Sequence, residues 1–143
     1  MLTLEVADAA DLVEYASWFD DQALSSRIQA PDAQWLEYIK QPHVHALVAR
    51  DAGGQIVCFS QIDQDDQRQG WFDVIVRPDQ QGSGLGTTFL GEIKNWSRGR
   101  FTALCGAVEP DNHRALALAH TAGFQLVAER DQDGFKSFRL ALE

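Results

Sequence analysis

The segment from residue 76 to residue 86 has the sequence Val76-Arg77-Pro78-Asp79-Gln80-Gln81-Gly82-Ser83-Gly84-Leu85-Gly86. It joins a β-branched, strand-like run to an amphipathic run whose apolar face is formed by Leu85, Phe89, Ile93 and Trp96. Glycines let a phosphate approach the main chain closely, and the start of a helix adds free N–H groups and a positive dipole end. The segment therefore predicts a loop that can bind a phosphate group.

Two well-known phosphate-binding glycine loops differ from this one. A Walker A loop needs Lys followed by Ser or Thr after its last glycine, whereas Gly86 is followed by Thr87-Thr88. A Rossmann loop would need glycine at position 87 and usually opens its βαβ unit. Here the loop follows a meander of strands. A nucleotide-binding protein and a turn that binds nothing both remain open on the loop alone.

The rest of the chain alternates strand-like and helix-like runs, and residues 1–143 are predicted to form one domain. Strands are predicted over Leu2–Val6, Val44–Arg50, Gln55–Ile62, Trp71–Val76, Phe101–Val108, Phe124–Glu129 and Phe135–Leu140. Helices are predicted over Asp8–Phe19, Pro31–Lys40, Leu85–Arg98, and from Asp111 or Asn112 to Ala122. Turns at 51–54 and 131–134 predict hairpins. The result is a mixed α/β sheet of about seven strands with about four helices.

Two sequence motifs resemble those of the GNAT acetyltransferase superfamily. Gln81, Gly84 and Gly86 match its acetyl-CoA motif, which is Gln or Arg, two residues, Gly, one residue, then Gly or Ala. The second motif is an Asn-x-x-Ala-x-x-Leu helix with a Gly-Phe exit, matched by Asn112, Ala115, Leu118, Gly123 and Phe124. The resemblance covers nearly all of the chain. It implies a mostly antiparallel central sheet and acetyl-CoA as the acyl donor.

The resemblance also implies roles for particular positions. The strand residues Val74, Ile75 and Val76 would pair with the pantetheine arm, and Asn112 would contact the pantetheine or adenine side. The pyrophosphate would be held by the N–H groups of Gln81, Gly82, Ser83, Gly84, Leu85, Gly86 and Thr87. In the family a neutral amine attacks the thioester carbonyl directly. A base is needed because an amine with a pKa near 10 is mostly protonated at neutral pH.

The sequence departs from the family pattern at the catalytic positions. The family's Tyr, which protonates the leaving thiolate, falls on Ala119, and a carboxylate often used as base falls at or beside Phe72. Three substitutes are predicted as catalytic candidates. Asp73 is an acid on a predicted central strand, His120 follows the vacant Tyr position, and Glu109 could act through water. Each also has a purely structural interpretation, as a paired, solvent-facing or loop residue.

The net charge of the chain indicates which kind of molecule could accept the acyl group. The formal charge of −9 disfavours nucleic-acid and anionic-membrane binding and suits a cationic amine, although it also serves solubility alone. Trp18, Phe19, Trp35 and Tyr38 are predicted either to form aromatic walls for a cation or to belong to the core. Within residues 1–40 the acids outnumber the bases Arg27 and Lys40, and these acids are Glu5, Asp8, Asp11, Glu14, Asp20, Asp21, Asp32 and Glu37. The predicted acceptor is a small cationic amine or a peptide amine.

Other features narrow the class of protein. Cys58 and Cys105 lie in apolar runs, which predicts two buried thiols, and no metal site is predicted. Without a signal-peptide pattern or a membrane-spanning run, a cytoplasmic location is expected. The family commonly dimerises, but no long exposed apolar strand decides whether this chain does. The second functional hypothesis is a non-catalytic acyl-CoA-binding sensor or interaction module that lost catalysis with its Tyr.

Overall fold

Eight strands and five helices follow one another in the computed structural model, which describes residues 2–142. The predicted domain also includes Met1 and Glu143, which lie outside that range. The strands are β1 (Thr3–Val6), β2 (Val44–Arg50), β3 (Ile56–Gln64), β4 (Gln69–Phe72), β5 (Ile75–Val76), β6 (Ala103–Val108), β7 (Gln125–Ala128) and β8 (Lys136–Ala141). The helices are α1 (Ala9–Ser17), α2 (Gln22–Ser25), α3 (Ala33–Tyr38), α4 (Leu85–Ser97) and α5 (His113–Thr121).

The strands form one mixed sheet in the order β1-β2-β3-β4-β6-β8-β7, with β5 beside β3. Within the described residues every pair is antiparallel except β4 with β6. This confirms the predicted mixed, mostly antiparallel sheet flanked by helices. The predicted strand Trp71–Val76 is wrong in one respect, because Asp73 and Val74 interrupt it and divide it into β4 and β5.

Each face of the sheet is covered by its own set of helices. Helices α4 and α5 pack on one face, where Phe89, Ile93 and Leu104 are completely buried. Helices α1, α2 and α3 cover part of the other face, where the Tyr15 ring stacks on Phe59 with centroids 3.8 Å apart. Burying such aromatic rings contributes about 2–3 kcal/mol each, so both layers are held firmly.

The early helices begin at acidic caps. Asp8 and Asp11 form a capping box at the start of α1, and the Asp32 side chain accepts the Trp35 N–H at the start of α3. The cap at Asp32 leaves Pro31 outside the helix, which corrects the predicted start. The first helix ends at Ser17 rather than Phe19, and a 3-10 turn then leads to α2, which was not predicted.

Several local predictions are confirmed. The turns after β2 and β7 join antiparallel pairs, and Gly54 and Gly134 have positive φ, as tight turns of this kind require. Cys58 and Cys105 are buried free thiols, and burial raises the pKa of Cys58 to about 12. Across residues 2–142, no helix has both the length and the apolar character needed to cross a bilayer.

Candidate active site

An opening in the sheet separates β5 from β6. Strands β4 and β6 pair in parallel only from Gln69 to Trp71 and from Ala103 to Cys105. Beyond these residues β5 pairs with β3, and β6 pairs with β8. The two central strands therefore diverge and leave main-chain edges facing each other without a partner strand. Such edges can bind an extended ligand as an added strand would.

The direction of the main-chain groups follows from the pairing with β3. Asp73 donates its N–H to the Gln61 carbonyl at 3.3 Å, and Arg77 donates to the Val57 carbonyl at 2.8 Å. Because N–H and C=O groups in an antiparallel pair alternate along the strand, Ile75 also faces β3, and its side chain is buried. The main-chain groups of Val74 and Val76 consequently point into the opening.

The glycine loop lies at the wide end of this opening and leads into α4. Gly82 and Gly84 have φ of 82° and 83°, in the left-handed region, and Gly84 is the N-terminal cap of α4. Among the acceptors of residues 2–142, none pairs with the main-chain N–H groups of residues 82–87. The first N–H that finds a main-chain acceptor here belongs to Thr88, which bonds the Gly84 carbonyl at 3.2 Å. A row of free donors therefore surrounds the start of a 13-residue helix.

One cation that the sequence analysis missed lies beside this loop. Arg114 on α5 donates from Nη1 to Gln81 Oε1 at 2.8 Å, and the Gln81 amide nitrogen lies 3.5 Å from the Val76 carbonyl. The Arg77 guanidinium, by contrast, is paired with Asp79 at 2.6 Å. The position of Arg114 two residues after the α5 cap was the available signal, but only the packing of α5 against α4 brings it to the loop.

The predicted residues Ser83, Leu85 and Thr87 contribute differently to the loop. The Ser83 hydroxyl donates to the Gln80 carbonyl at 2.6 Å, so it stabilises the turn itself. Leu85 packs against the core cluster, and Thr87 is exposed. The Asn112 side chain accepts the Ala115 N–H at 3.3 Å and thereby caps α5. The helix cap therefore uses its side-chain oxygen.

Asp73 lies at the interruption between β4 and β5. Its Oδ1 accepts the main-chain N–H of Gln61 at 2.9 Å, and the side chain is partly buried. Burial raises the pKa of Asp73 to about 6; the Gln61 hydrogen bond opposes this, and the nearby charge of Asp63 adds to it. An acid with such a pKa at an opening in a sheet is typical of a functional site.

A polar network continues from Asp73 along the same sheet face. Gln61 accepts the Trp35 indole N–H at 2.8 Å and donates to Asp63 at 2.9 Å. The Tyr38 hydroxyl donates to the other oxygen of Asp63, and this hydrogen bond is the main cause that raises the pKa of Tyr38 to about 12. Trp71, which pairs with Asp63 across the strands, is exposed. The sequence analysis did not identify Asp63, because only the pairing of β3 with β4 brings it near Asp73.

The other two catalytic candidates occupy different surroundings. Glu109 directly follows β6, and its carboxylate lies 3.1 Å from Arg27, which also contacts Asp111. His120 is exposed in the last turn of α5, and its neighbour Ala119 packs against the core cluster. No hydrogen bond within residues 2–142 links Asp73 with Glu109 or His120. The three candidates therefore do not form a hydrogen-bonded constellation in the described structure.

Most acids of the first 40 residues have structural partners. Asp11 is buried and pairs with Arg50, which also contacts Glu5. Asp8 and Asp32 cap helices. Of the two alternatives predicted for these aromatic residues, Trp18 fits the core because it is buried, whereas Tyr38 is exposed. The acidic side chains available near the opening are therefore Asp63 on β3 and Asp73 between β4 and β5.

Comparison with known proteins places these features in context. A family model described as the acetyltransferase (GNAT) family matches residues 12–124. A spermidine N-acetyltransferase from Vibrio cholerae, in complex with CoA and spermine, has a TM-score of 0.86 and 17% identity over 99% of this chain and 95% of its own. An aminoglycoside acetyltransferase in complex with coenzyme A and kanamycin has a TM-score of 0.83 and 18% identity, covering 99% and 95%.

A third solved structure has a different kind of acceptor in its name. It is a ribosomal-protein-alanine N-acetyltransferase from Brucella melitensis, with a TM-score of 0.80 and 22% identity over 97% of this chain and 99% of its own. At these identities the likeness concerns the fold. No curated protein matched the chain in sequence.

Proposed function

Since the chain belongs to the acetyltransferase (GNAT) family, a family of N-acetyltransferases, we propose that it transfers the acetyl group of acetyl-CoA to a primary amine of a small cationic molecule. The family membership confirms the resemblance drawn from Gln81, Gly84 and Gly86. The observation that carries the proposal is the row of free N–H groups at residues 82–87, beside an opening whose edges have no partner strand.

The coenzyme's pyrophosphate is assigned to this row of donors. Main-chain N–H groups and the positive end of the α4 dipole favour an anion without any side-chain charge. Gly82 and Gly84 leave the approach open, since a Cβ built on either meets no protein atom within 4 Å. Arg114 supplies the cation that the loop lacks, and Asn112 lies at the adjacent helix start. Charged hydrogen bonds of this kind are about twice as strong as neutral ones.

The pantetheine arm is assigned to the edge of β5. The free main-chain groups of Val74 and Val76 offer the alternating donors and acceptors that the arm's two amides need, while Ile75 keeps the strand fixed to β3. Binding displaces the Gln81 amide from the Val76 carbonyl, which releases Arg114 for the phosphates. The thioester then lies near the Asp73–Val74 interruption.

The chemistry is one acyl transfer. The lone pair of the neutral amine forms the new C–N bond at the thioester carbonyl carbon, the C–S bond breaks, and the sulfur leaves with the electron pair. The nitrogen loses a proton to a base, and the thiolate gains one to become the CoA thiol. A thiolate is a stable enough leaving group that Ala119 does not prevent this reaction.

The three predicted catalytic side chains differ in what they can do with the amine's proton. Asp73 lies near the proposed thioester position, but its carboxylate bonds Gln61, so we do not propose it as the base. Glu109 follows a strand that borders the opening and can accept a proton through water once its 3.1 Å contact with Arg27 is released. His120 is exposed on α5, and reaching the thioester would require a water chain. We therefore propose Glu109 as the base.

The acceptor site is proposed on the sheet face that carries Asp63. Its carboxylate lies beside the exposed Tyr38 and Trp71, so it offers charge and an aromatic surface to an ammonium group. The two relatives solved with spermine and kanamycin act on cationic amines, which agrees with this choice. A peptide amine, as in the third relative, is the other acceptor class.

A non-catalytic acyl-CoA sensor is the second proposal. It is favoured by one observation: Ala119 stands where the family's Tyr would protonate the thiolate, and it packs against the core. Coenzyme binding alone does not distinguish a sensor from an enzyme. Release of the CoA thiol in the presence of an amine distinguishes them, because only an enzyme produces it.

The test is acetyl transfer to a panel of diamines, polyamines, aminoglycosides and peptide amines, measured by thiol release. We expect turnover with a di- or polycationic amine. Asp63→Asn should raise the KM for that amine about 10-fold, which corresponds to about 1.4 kcal/mol, and leave the KM for acetyl-CoA unchanged. Asp66→Asn is the matched control, because it makes the same charge change on the exposed turn before β4. Coenzyme binding without turnover on any amine would favour the sensor instead.

A further inference from the structure

We propose that the Asp73 carboxylate is a positioning group: it replaces its own main-chain carbonyl in bonding β3 and so holds the strand interrupted beside the thioester. The inference rests on the proposed function, because it concerns the same opening. It assigns Asp73 a role different from that of a general base.

The interruption does not come from an inserted residue. Phe72 pairs with Ile62 and Ile75 pairs with Phe59, so the register is the same on both sides of it. An uninterrupted antiparallel ladder would join Asp73 and Gln61 by two main-chain hydrogen bonds. One of them is present, from the Asp73 N–H to the Gln61 carbonyl at 3.3 Å.

The other hydrogen bond has changed its acceptor. The Gln61 N–H donates at 2.9 Å to Oδ1 of Asp73 instead of to the main-chain carbonyl of Asp73. That carbonyl accepts no hydrogen bond from residues 2–142, and the next N–H, on Val74, donates none within the same range. The peptide between these two residues is therefore free of the ladder. A Gln61 N–H left inside the sheet without an acceptor would be costly, so the carboxylate oxygen makes this arrangement stable.

The freed peptide offers one group that the reaction can use. The Asp73 carbonyl, which is no longer engaged with Gln61, can accept a hydrogen from the attacking nitrogen. An acceptor held in place before the reaction stabilises the positive charge that develops on this nitrogen more effectively than solvent does. An uninterrupted ladder would engage the carbonyl with Gln61 and turn the peptide back into the sheet.

In this proposal the acceptor oxygen of Asp73 is required, whereas its negative charge is not. Asparagine keeps an oxygen at the same place and so keeps the interruption, whereas alanine returns the Gln61 N–H to the main-chain carbonyl. Asp73→Asn is therefore expected to retain the acetyl-CoA Kd and kcat within about 3-fold, while Asp73→Ala weakens acetyl-CoA binding about 10-fold and lowers kcat about 30-fold or more. Both are measured with the full chain, by calorimetry and by thiol release between pH 6 and 9.

Further measurements separate positioning from loss of stability and from base catalysis. Val48→Ala creates a cavity in the buried part of β2. It should therefore lower the melting temperature but leave the acetyl-CoA Kd unchanged. The proposal is overturned if Asp73→Asn is as impaired as Asp73→Ala, or if it removes an ionisation from the pH profile of kcat, because the charge would then matter. It is also overturned if Asp73→Ala binds acetyl-CoA as the wild type does. If the wild type transfers no acetyl group, the proposed transfer fails, and the acetyl-CoA Kd values alone decide the positioning role.

Discussion

Replacing Gly84 with valine should reduce acetyl-CoA affinity at least about 100-fold, which corresponds to about 2.7 kcal/mol. Gly84 has φ of 83°, a conformation in which a β-branched residue is strongly disfavoured. A side chain there would also project into the space assigned to the pyrophosphate, where no protein atom lies within 4 Å of a built Cβ. Isothermal titration calorimetry of the purified variant measures the loss directly.

The control for this substitution lies on the same helix. Gly91 is an exposed residue of α4 where an added Cβ also meets nothing within 4 Å, but its φ is not positive. Gly91→Val should therefore bind acetyl-CoA as the wild type does. Circular dichroism checks that α4, anchored by Phe89 and Ile93, survives in both variants. Unchanged affinity in a folded Gly84→Val protein would exclude the loop as the phosphate site.

Replacing Asp73 with asparagine changes the free energy of unfolding by an amount that should depend on pH. The change should be more stabilising at pH 8 than at pH 4, by up to about 3 kcal/mol. Burial raises the pKa of Asp73 from its ordinary value of 3.8 to about 6 in the folded state. The folded protein therefore binds more protons than the unfolded chain between these values. Wild-type stability falls as the pH rises through this window, and the neutral amide does not titrate.

Urea unfolding of wild type and variant at pH 4, 6 and 8 tests this prediction. The difference in the free energy of unfolding should be small at pH 4 and grow up to pH 6, with little further change at pH 8. Asp66→Asn removes an exposed acid and should show no such growth. A constant difference at all three pH values would mean that Asp73 has an ordinary pKa in the folded protein. A site that lowers stability in this way fits a functional rather than a structural role.

Much of the fold could be predicted from local patterns. The hairpin glycines at 54 and 134, the helical spacing after Gly84 and the Asn112 cap each specify their element through nearby residues alone. The glycine loop was identified for the same reason. Threonines stand at the positions where a Walker A loop has lysine and a Rossmann loop has glycine, and this argued against both of those loop types. The cytoplasmic location remains a prediction.

The parts that could not be predicted depend on long-range packing. Strand pairing places Asp63 next to the Asp73 region, although ten residues separate them in sequence, and helix packing brings Arg114 to Gln81. The break in the strand after Phe72 depends on a side chain replacing a main-chain acceptor, which hydrophobic alternation does not reveal. The acids of the first helices were overvalued as an acceptor rim because their caps and their partner Arg50 were not apparent.

The central claim is that acetyl-CoA occupies the opening between β5 and β6 with its pyrophosphate on the glycine loop. A crystal structure of the full chain with acetyl-CoA bound tests it most directly. We predict pyrophosphate oxygens within about 3 Å of N–H groups of residues 82–87, Arg114 turned toward a phosphate, and the pantetheine amides bonded to Val74 and Val76. Coenzyme bound elsewhere, with the N–H groups of 82–87 still free, would contradict the claim.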